Sequence, residues 1–432
     1  MASNRASSRT AAKTKAPKSA KAPKQWTVLV YMAGDNNLES FGRGDIAEMK
    51  RTGSTDAVNV VVQLDTLRAG KTRRYYLRKG TKIEADVVQS LGETDTGDPK
   101  VAEDFFRWGV AGYPAKHYLA IFWNHGSGID ETDVYRALRR GQLKVARKAK
   151  RTAEQVPFSR VRVAASRPVR RALFSTTRAA ILGRRTRAIA YDDTSRDFLD
   201  NLELGKVVAQ VAKAMKQKID VLGFDACLMN MVEVAYQVRT STQFVVGSQE
   251  VEPGDGWPYD EVIAVLAKKP GLGPRELGRA IVRKYAASYK ADSVTQSAVD
   301  VGELEPLARE VDQLAGALLH AMADPIELNA IRGAAFAVQR FDLKDFVDLV
   351  DFCEELQSRS HSEQVKTCAK SAAAAAAEAI VEARAEGTGV ERAHGLSIYF
   401  PSAAPDTTLD YARLDFARKT RWDEFLAKFK NS

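Results

Sequence analysis

Two short segments of the chain hold residues whose types could do chemistry together. One is Asn124-His125-Gly126-Ser127-Gly128, directly after the apolar run 117–123 (HYLAIFW). The other is Asp225-Ala226-Cys227, directly after the mostly apolar run 219–224 (IDVLGF). A deprotonated thiol is a strong nucleophile, and a neighbouring imidazole can take its proton and later give one to a leaving amine. Residues 228–238 have helical spacing, so Cys227 is expected at a helix N-terminus, where the macrodipole favours thiolate. Gly126 has no side chain, and its N–H could approach a developing oxyanion beside the N–H of Cys227. Singly, each residue has a duller explanation. A cysteine ending a buried strand is usually inert core, and a histidine at a strand-to-turn junction is usually structural. Their joint occurrence at equivalent strand ends, each in a turn suited to its role, favours chemistry. Cys353 and Cys368 fall on helical patterns with no adjacent histidine and read as packing residues. No CxxC or HxxxH spacing occurs anywhere, which disfavours a metal centre.

The elements that must position these residues alternate between strand and helix. Residues 26–32 (WTVLVYM) read as a buried strand and 34–37 (GDNN) as a turn, with Asn36 or Asn37 available to cap a helix over 38–50. A second strand is expected at 57–65, a hairpin around 72–78, helices at 100–110 and 202–216, and a short strand at 244–247. This alternation predicts an α/β fold, a mostly parallel sheet with helices on both faces, in which ligands bind at the carboxyl ends of strands. From about residue 303 the pattern becomes helix-rich, with helices expected at 304–321, 342–357 and the alanine-rich 365–385. Residues 396–401 (LSIYFP) read as one late strand.

The chain has 432 residues, 45% hydrophobic and 28% charged, which excludes wholesale disorder, collagen and coiled coil. No stretch approaches the length of apolar sequence that a membrane span needs. Three cysteines cannot make a disulfide framework. The formal charge of +10 would suit a nucleic-acid binder, but it is unevenly spread. Residues 1–24 hold seven Lys/Arg and no acid, and residues 136–187 hold seventeen Lys/Arg against the single acid Glu154, leaving −13 for the other 356 residues. Segment 1–24 lacks the apolar core of a secretory signal and reads as a disordered basic tail. A cytoplasmic location is then the default expectation.

The segments VYMAGDNNLE (30–39), FWNHGSG (122–128), GFDACLMNMVEVAY (223–236), GSQEVEPGDGWPY (247–259) and HGLSIYFP (394–401) resemble the clostripain family of cysteine peptidases. The resemblance runs in register from about residue 25 to 300. It implies a caspase-like α/β/α sandwich over 25–300, followed by a helix-rich C-terminal region over 301–432 with its late strand at 396–400. It also implies a Cys–His dyad and endopeptidase activity after Arg or Lys. By motif, His125 takes the general acid/base role, Cys227 is the nucleophile, and the amides of Gly126 and Cys227 form the oxyanion hole. Asp225 and Asp255 match family acids associated with the pocket for the basic side chain. A buried guanidinium or ammonium without a carboxylate partner is costly, so such a pocket needs at least one acid. Asp225 could instead cap the helix expected near Cys227, and Asp255 could be a turn residue bonding its own backbone. No cofactor is required for the chemistry. The resemblance raises calcium, yet no EF-hand-like loop is present. Asp192 and Asp193 could serve an irregular calcium site, or be turn residues leading into the helix at 202–216.

The family also matures by cleavage between the catalytic histidine and cysteine. Here that interval offers Arg139-Arg140, Arg147-Lys148 and Arg184-Arg185, among other dibasic pairs, to an enzyme expected to cut after Arg or Lys. The expectation is that 136–187 acts as an intramolecular inhibitor of an acidic cleft until cut. The resulting light and heavy chains would stay associated, because both supply strands to one sheet. The competing reading is a noncatalytic, peptidase-like protein whose basic segments bind nucleic acid or another polyanion.

Overall fold

In the computed structural model, residues 23–36, 38–66, 71–126, 189–192, 197–401 and 411–432 are described. Five parallel strands make the centre of one nine-stranded sheet: β1 (Lys24–Met32), β2 (Val58–Leu64), β5 (Ala115–Trp123), β8 (Ile219–Asp225) and β9 (Thr242–Gly247). Antiparallel strands extend both edges, β3 (Thr72–Tyr76) and β4 (Val87–Gly92) beyond β2, β10 (Val294–Asp300) and β12 (Ile380–Glu386) beyond β9. The order is β12-β10-β9-β8-β5-β1-β2-β3-β4. Two short pairs lie outside it, β6 (Ile189–Asp192) with β7 (Asp197–Leu199), and β11 (Phe346–Asp348) with β13 (Ser397–Tyr399). The mostly parallel α/β architecture expected from the alternation is therefore present.

The sequence explains the layering. β2 and β8 are buried at every position, as strands covered on both faces must be, and β2 is dominated by β-branched residues. Alternate residues then choose the face. Leu29, Tyr31, Ala120, Phe122 and Phe224 point to the side packed by α2 (Pro99–Gly112), α3 (Asn201–Met215) and α4 (Val232–Val238). Val28, Val30, Ile121, Trp123 and Val221 point to the side packed by α1 (Glu39–Thr52), α5 (Tyr259–Lys268) and α6 (Pro274–Ser288). The α2–α4 side is thickened by α7 (Leu304–Ala321), α8 (Pro325–Ala337), α9 (Leu349–Arg359), α10 (Glu363–Ala379), α11 (Asp415–Lys419) and α12 (Trp422–Lys430), whose apolar residues join the same core. No helix among the described residues is long and apolar enough to cross a membrane.

Several expected boundaries move, each for a physical reason. Asn36 does not occupy the cap position of α1, which falls to Leu38; Asn36 Oδ1 instead accepts from the Leu38 N–H at 2.8 Å and closes the preceding turn. The helix expected over 342–357 begins only at Leu349, because Asp348 Oδ1 caps it through the Asp351 N–H at 2.9 Å and residues 346–348 pair with β13. The alanine-rich helix stops at Ala379 rather than 385. Residues 380–386 become β12, since the open edge of β10 offers a ladder that outweighs local helix propensity.

Candidate active site

Strand register brings the two chemical segments together. Trp123 of β5 is the partner of Asp225 on β8, so His125 and Cys227, each two residues further on, leave adjacent parallel strands at the same level. The Asn124 N–H extends the ladder by donating to the Asp225 carbonyl at 3.3 Å. Asn124 is buried and its Nδ2 donates to the Ala33 carbonyl at 2.7 Å, while its Oδ1 accepts from the His125 N–H. The turn then presses directly on the cysteine. A Cβ added to Gly126 would lie 2.2 Å from the Cys227 carbonyl oxygen and 3.0 Å from the Cys227 nitrogen. Only glycine permits that approach. His125 is half-buried, whereas Cys227 has no exposed surface and its Sγ accepts from the Glu252 N–H at 3.2 Å.

The expectation that Cys227 opens a helix is not met: α4 starts five residues later, at Val232. Leu228 has φ +64°, the left-handed region, and the next residues bond outward instead of along a helix. The Leu228 N–H donates to the Glu250 carbonyl at 3.2 Å, the Asn230 N–H to the Ser248 carbonyl at 2.9 Å, and the Ser397 N–H to the Asn230 carbonyl at 3.1 Å. Asn230 Nδ2 reaches the Gly395 carbonyl at 3.0 Å. The late HGLSIYFP segment thus pins the turn that follows Cys227. The macrodipole argument for the thiol falls with the helix, and the amide of Glu252 is aimed at the sulfur instead.

Asp225 does not cap that helix either. Its Oδ2 accepts from the Tyr259 hydroxyl at 2.8 Å and from the Trp257 N–H at 3.4 Å. The intervening turn is closed by the Gly256 N–H on the Pro253 carbonyl at 3.0 Å. Gly256 is at φ +58°, and a Cβ there would sit 2.9 Å from both Asp225 carboxylate oxygens. Asp255 stands exposed on this turn, beside the buried Asp225. Burial first, then the negative charges of Asp225 and Asp45, push the Tyr259 hydroxyl well above its ordinary range.

Sequence reasoning overlooked three residues of this neighbourhood. Asp45, on α1, accepts from the Trp123 indole N–H at 2.6 Å. Its spacing with Gly42, Ile46 and Met49, an inward helical face, was the available signal. Glu252 offers its amide to the sulfur. Glu250 bridges to residue 342, its Oε1 accepting from the Val251 N–H at 2.8 Å and the Asp342 N–H at 3.1 Å. Burial raises its carboxyl to about 7.

Arg139, Arg140, Arg147, Lys148, Arg184, Arg185 and Asp193 lie outside the described residues, and Asp192 is described only as part of β6. Among the described residues one carboxylate trio is compact enough to hold a cation, Asp35, Asp65 and Glu93, with ligand atoms within 4.8 Å of one another. One Asp65 oxygen already accepts from the Thr66 N–H at 2.8 Å and the Thr72 hydroxyl at 2.9 Å. Cys353 is fully buried on α9, where burial drives its thiol far above its ordinary range, and Cys368 lies on α10.

A three-layer α/β/α sandwich whose adjacent central strands deliver a His-Gly turn and a cysteine to one point is the architecture of the caspase-like cysteine peptidases. Within that class, residues 30–140 and 178–429 match the clostripain family model, and the chain belongs to the clostripain family of cysteine peptidases. It is 25% identical over 443 residues to clostripain of Hathewaya histolytica, a match spanning 87% of this chain and 74% of that protein. Its fold is similar to that of a secreted C11 cysteine protease from Bacteroides thetaiotaomicron solved with an irreversible peptide inhibitor. That match has a TM-score of 0.61 at 19% identity, covering 93% of this chain and all of that one. An inactive zymogen C11 protease from Parabacteroides distasonis matches with TM-score 0.61 at 17% identity, covering 93% and 99%.

Proposed function

We propose that this chain is an endopeptidase that cleaves peptide bonds after Arg or Lys, with Cys227 as nucleophile and His125 as general acid and base. The observation that carries this reading is the shared register of the two residues, with Gly126 packed on the Cys227 peptide. His125 takes the thiol proton, and Sγ attacks the carbonyl carbon. The oxyanion of the tetrahedral intermediate is met by the N–H groups of Gly126 and Cys227. The C–N bond then breaks as His125 protonates the amine, leaving a thioester on Cys227. Water, deprotonated by His125, hydrolyses the thioester. No cofactor is needed for these steps. Asp225, beneath the turn that bears Asp255, supplies the negative charge that a basic side chain requires in a closed pocket.

Maturation within 136–187 completes the reading. Cys227 has no exposed surface among the described residues. This burial supports a latent precursor. Fluorogenic peptides ending in Arg, Lys or a neutral residue, assayed with wild type and Cys227→Ala, test the proposal. Turnover of basic peptides by wild type only, with new chain ends confined to basic sites in the insert, is the expected result. Equal negligible rates in both proteins after the insert has been cut would refute it.

A further inference from the structure

Residues 248–252, which follow β9, are laid against the turn after Cys227 at three points. The Asn230 N–H donates to the Ser248 carbonyl at 2.9 Å, the Leu228 N–H to the Glu250 carbonyl at 3.2 Å, and the Glu252 N–H to the Cys227 sulfur at 3.2 Å. Thr295 of β10 ties the backbone of this segment to the sheet, its Oγ1 accepting from the Gln249 and Glu250 N–H groups at 3.0 Å each. Gln249 ties it to the C-terminal region. Its side chain is 1% exposed; Nε2 donates to Asp348 Oδ2 at 2.9 Å, and Oε1 accepts from the Gly395 N–H at 2.8 Å. Both partners are themselves fixed. Asp348 is fully buried, its Oδ1 caps α9 through the Asp351 N–H at 2.9 Å, and its Oδ2 also accepts from the His394 N–H at 2.7 Å. The Gly395 carbonyl accepts from Asn230 Nδ2 at 3.0 Å, within the turn itself.

We propose that Gln249 is a positioning residue for the nucleophile: its side-chain amide braces residues 248–252 on Asp348 and Gly395, so that the Glu252 N–H stays aimed at the Cys227 sulfur. This inference rests on the reading of Cys227 as nucleophile. A hydrogen bond donated to sulfur favours the ionised form, because the positive end of the N–H dipole meets the charge. The effect needs close approach, and a displacement of about 1 Å in a catalytic arrangement typically costs about 100-fold in rate. Segments between regular elements hold such tolerances only where they are tied down. The Gln249 clasp resists opening, since opening would strip the Gly395 N–H and one buried Asp348 oxygen of a partner where water is excluded. The C-terminal region supplies both ends of the clasp. It thereby takes part in the site without contributing a reacting group.

The test uses the full chain after incubation that allows the insert to be cut, as wild type, Gln249→Met and Cys227→Ala. Methionine keeps the length and bulk of glutamine and removes both hydrogen bonds. Turnover of an Arg-ended fluorogenic peptide is measured beside Tm and the pH dependence of Cys227 alkylation by iodoacetamide, read at that residue by peptide mass spectrometry. Gln249→Met should lower kcat at least about tenfold with KM within about twofold. It should also move the alkylation midpoint up by about one pH unit, the size of one lost hydrogen bond to a charged sulfur. A packing role alone would lower Tm and leave the midpoint in place, so an unmoved midpoint overturns the proposal whatever the Tm. If Cys227→Ala is then inactive, the nucleophile reading survives that failure; turnover retained by Cys227→Ala overturns both. Should Gln249→Met not fold, hydrogen exchange of the wild type decides. The amides of Leu228, Glu250 and Glu252 should be protected together with those of Asp351 and Gly395, as one cooperative unit. Exchange of the 248–252 amides more than about tenfold faster than that of these partners overturns the proposal.

Discussion

Gly126→Ala is the sharpest perturbation of the proposed site. The new methyl would lie 2.2 Å from the Cys227 carbonyl oxygen, 3.0 Å from its nitrogen and 3.0 Å from the Ala226 Cβ, where ordinary contact begins near 3.4 Å. Two of these three atoms are backbone, so no rotamer change relieves the clash. The His125–Gly126 turn must draw back from the nucleophile by about 1 Å, a misplacement that typically lowers turnover about 100-fold, or ~3 kcal/mol of barrier. Stability should change much less, because the turn lies beyond the last residue of β5 and the one apolar atom the methyl meets, the Ala226 Cβ at 3.0 Å, needs to give by only a few tenths of an ångström. The assay is kcat/KM on an Arg-ended fluorogenic peptide, with Tm recorded for each protein. Gly112→Ala is the control, since a Cβ there meets nothing within 4 Å. If Gly126→Ala turned over within twofold of wild type, the packing of the turn on Cys227 would not define the catalytic geometry. A rate loss matched by a collapse in Tm would refute positioning in favour of folding.

Three further outcomes follow from the same geometry. Asp255→Asn, an exposed change on the turn, should lower kcat/KM for basic substrates at least tenfold with Tm unmoved, the size of one lost charge–charge contact; equal loss toward neutral substrates would contradict this. Glu233 is fully buried on α4, accepts from the Tyr399 N–H and the Tyr411 hydroxyl at 2.9 Å each, and is raised by burial from 4.5 to about 7. The folded state therefore binds its proton more tightly than the unfolded state does. That stabilising contribution is complete below about pH 4.5 and is lost as pH rises through 7, by about 3 kcal/mol. Glu233→Gln should flatten the fall of Tm over this window, and parallel curves for the two proteins would reject the assignment. Asn230→Ala should destabilise by about 1–3 kcal/mol, because it removes the buried Nδ2 that donates to the Ser297 carbonyl and that shares the Gly395 carbonyl with the Ser297 hydroxyl, and should lower activity with it. Unfolding in urea alongside peptide turnover checks both effects.

Much of the site was legible because its information is local. His125-Gly126 and Cys227 each follow a run whose β pattern is unambiguous, and the carboxyl ends of both strands were expected within a residue of where they fall. Asp45 was not legible, since an acid on an inward helical face becomes meaningful only when Trp123 and Asp225 are seen opposite it. The helix expected after Cys227 shows the converse. Its 3.6-residue spacing is real, but Leu228 and Asn230 bond to the segments around residues 250 and 397, partners remote in sequence.

What the sequence determined by itself is the parallel sheet, the pair of strand ends that carry chemistry, and the division of charge into a basic tail, a basic insert and an acidic body. Those rest on side-chain period and composition, which act within a few residues. Only the tertiary structure decided that β12 leaves an alanine-rich stretch to close the sheet edge. It alone decided that a left-handed turn at Leu228, pinned by β13, follows Cys227, and that the Trp123 indole donates to the buried Asp45. Each of these depends on contacts between segments far apart in the chain, where a backbone ladder or a buried charge outweighs the local preference.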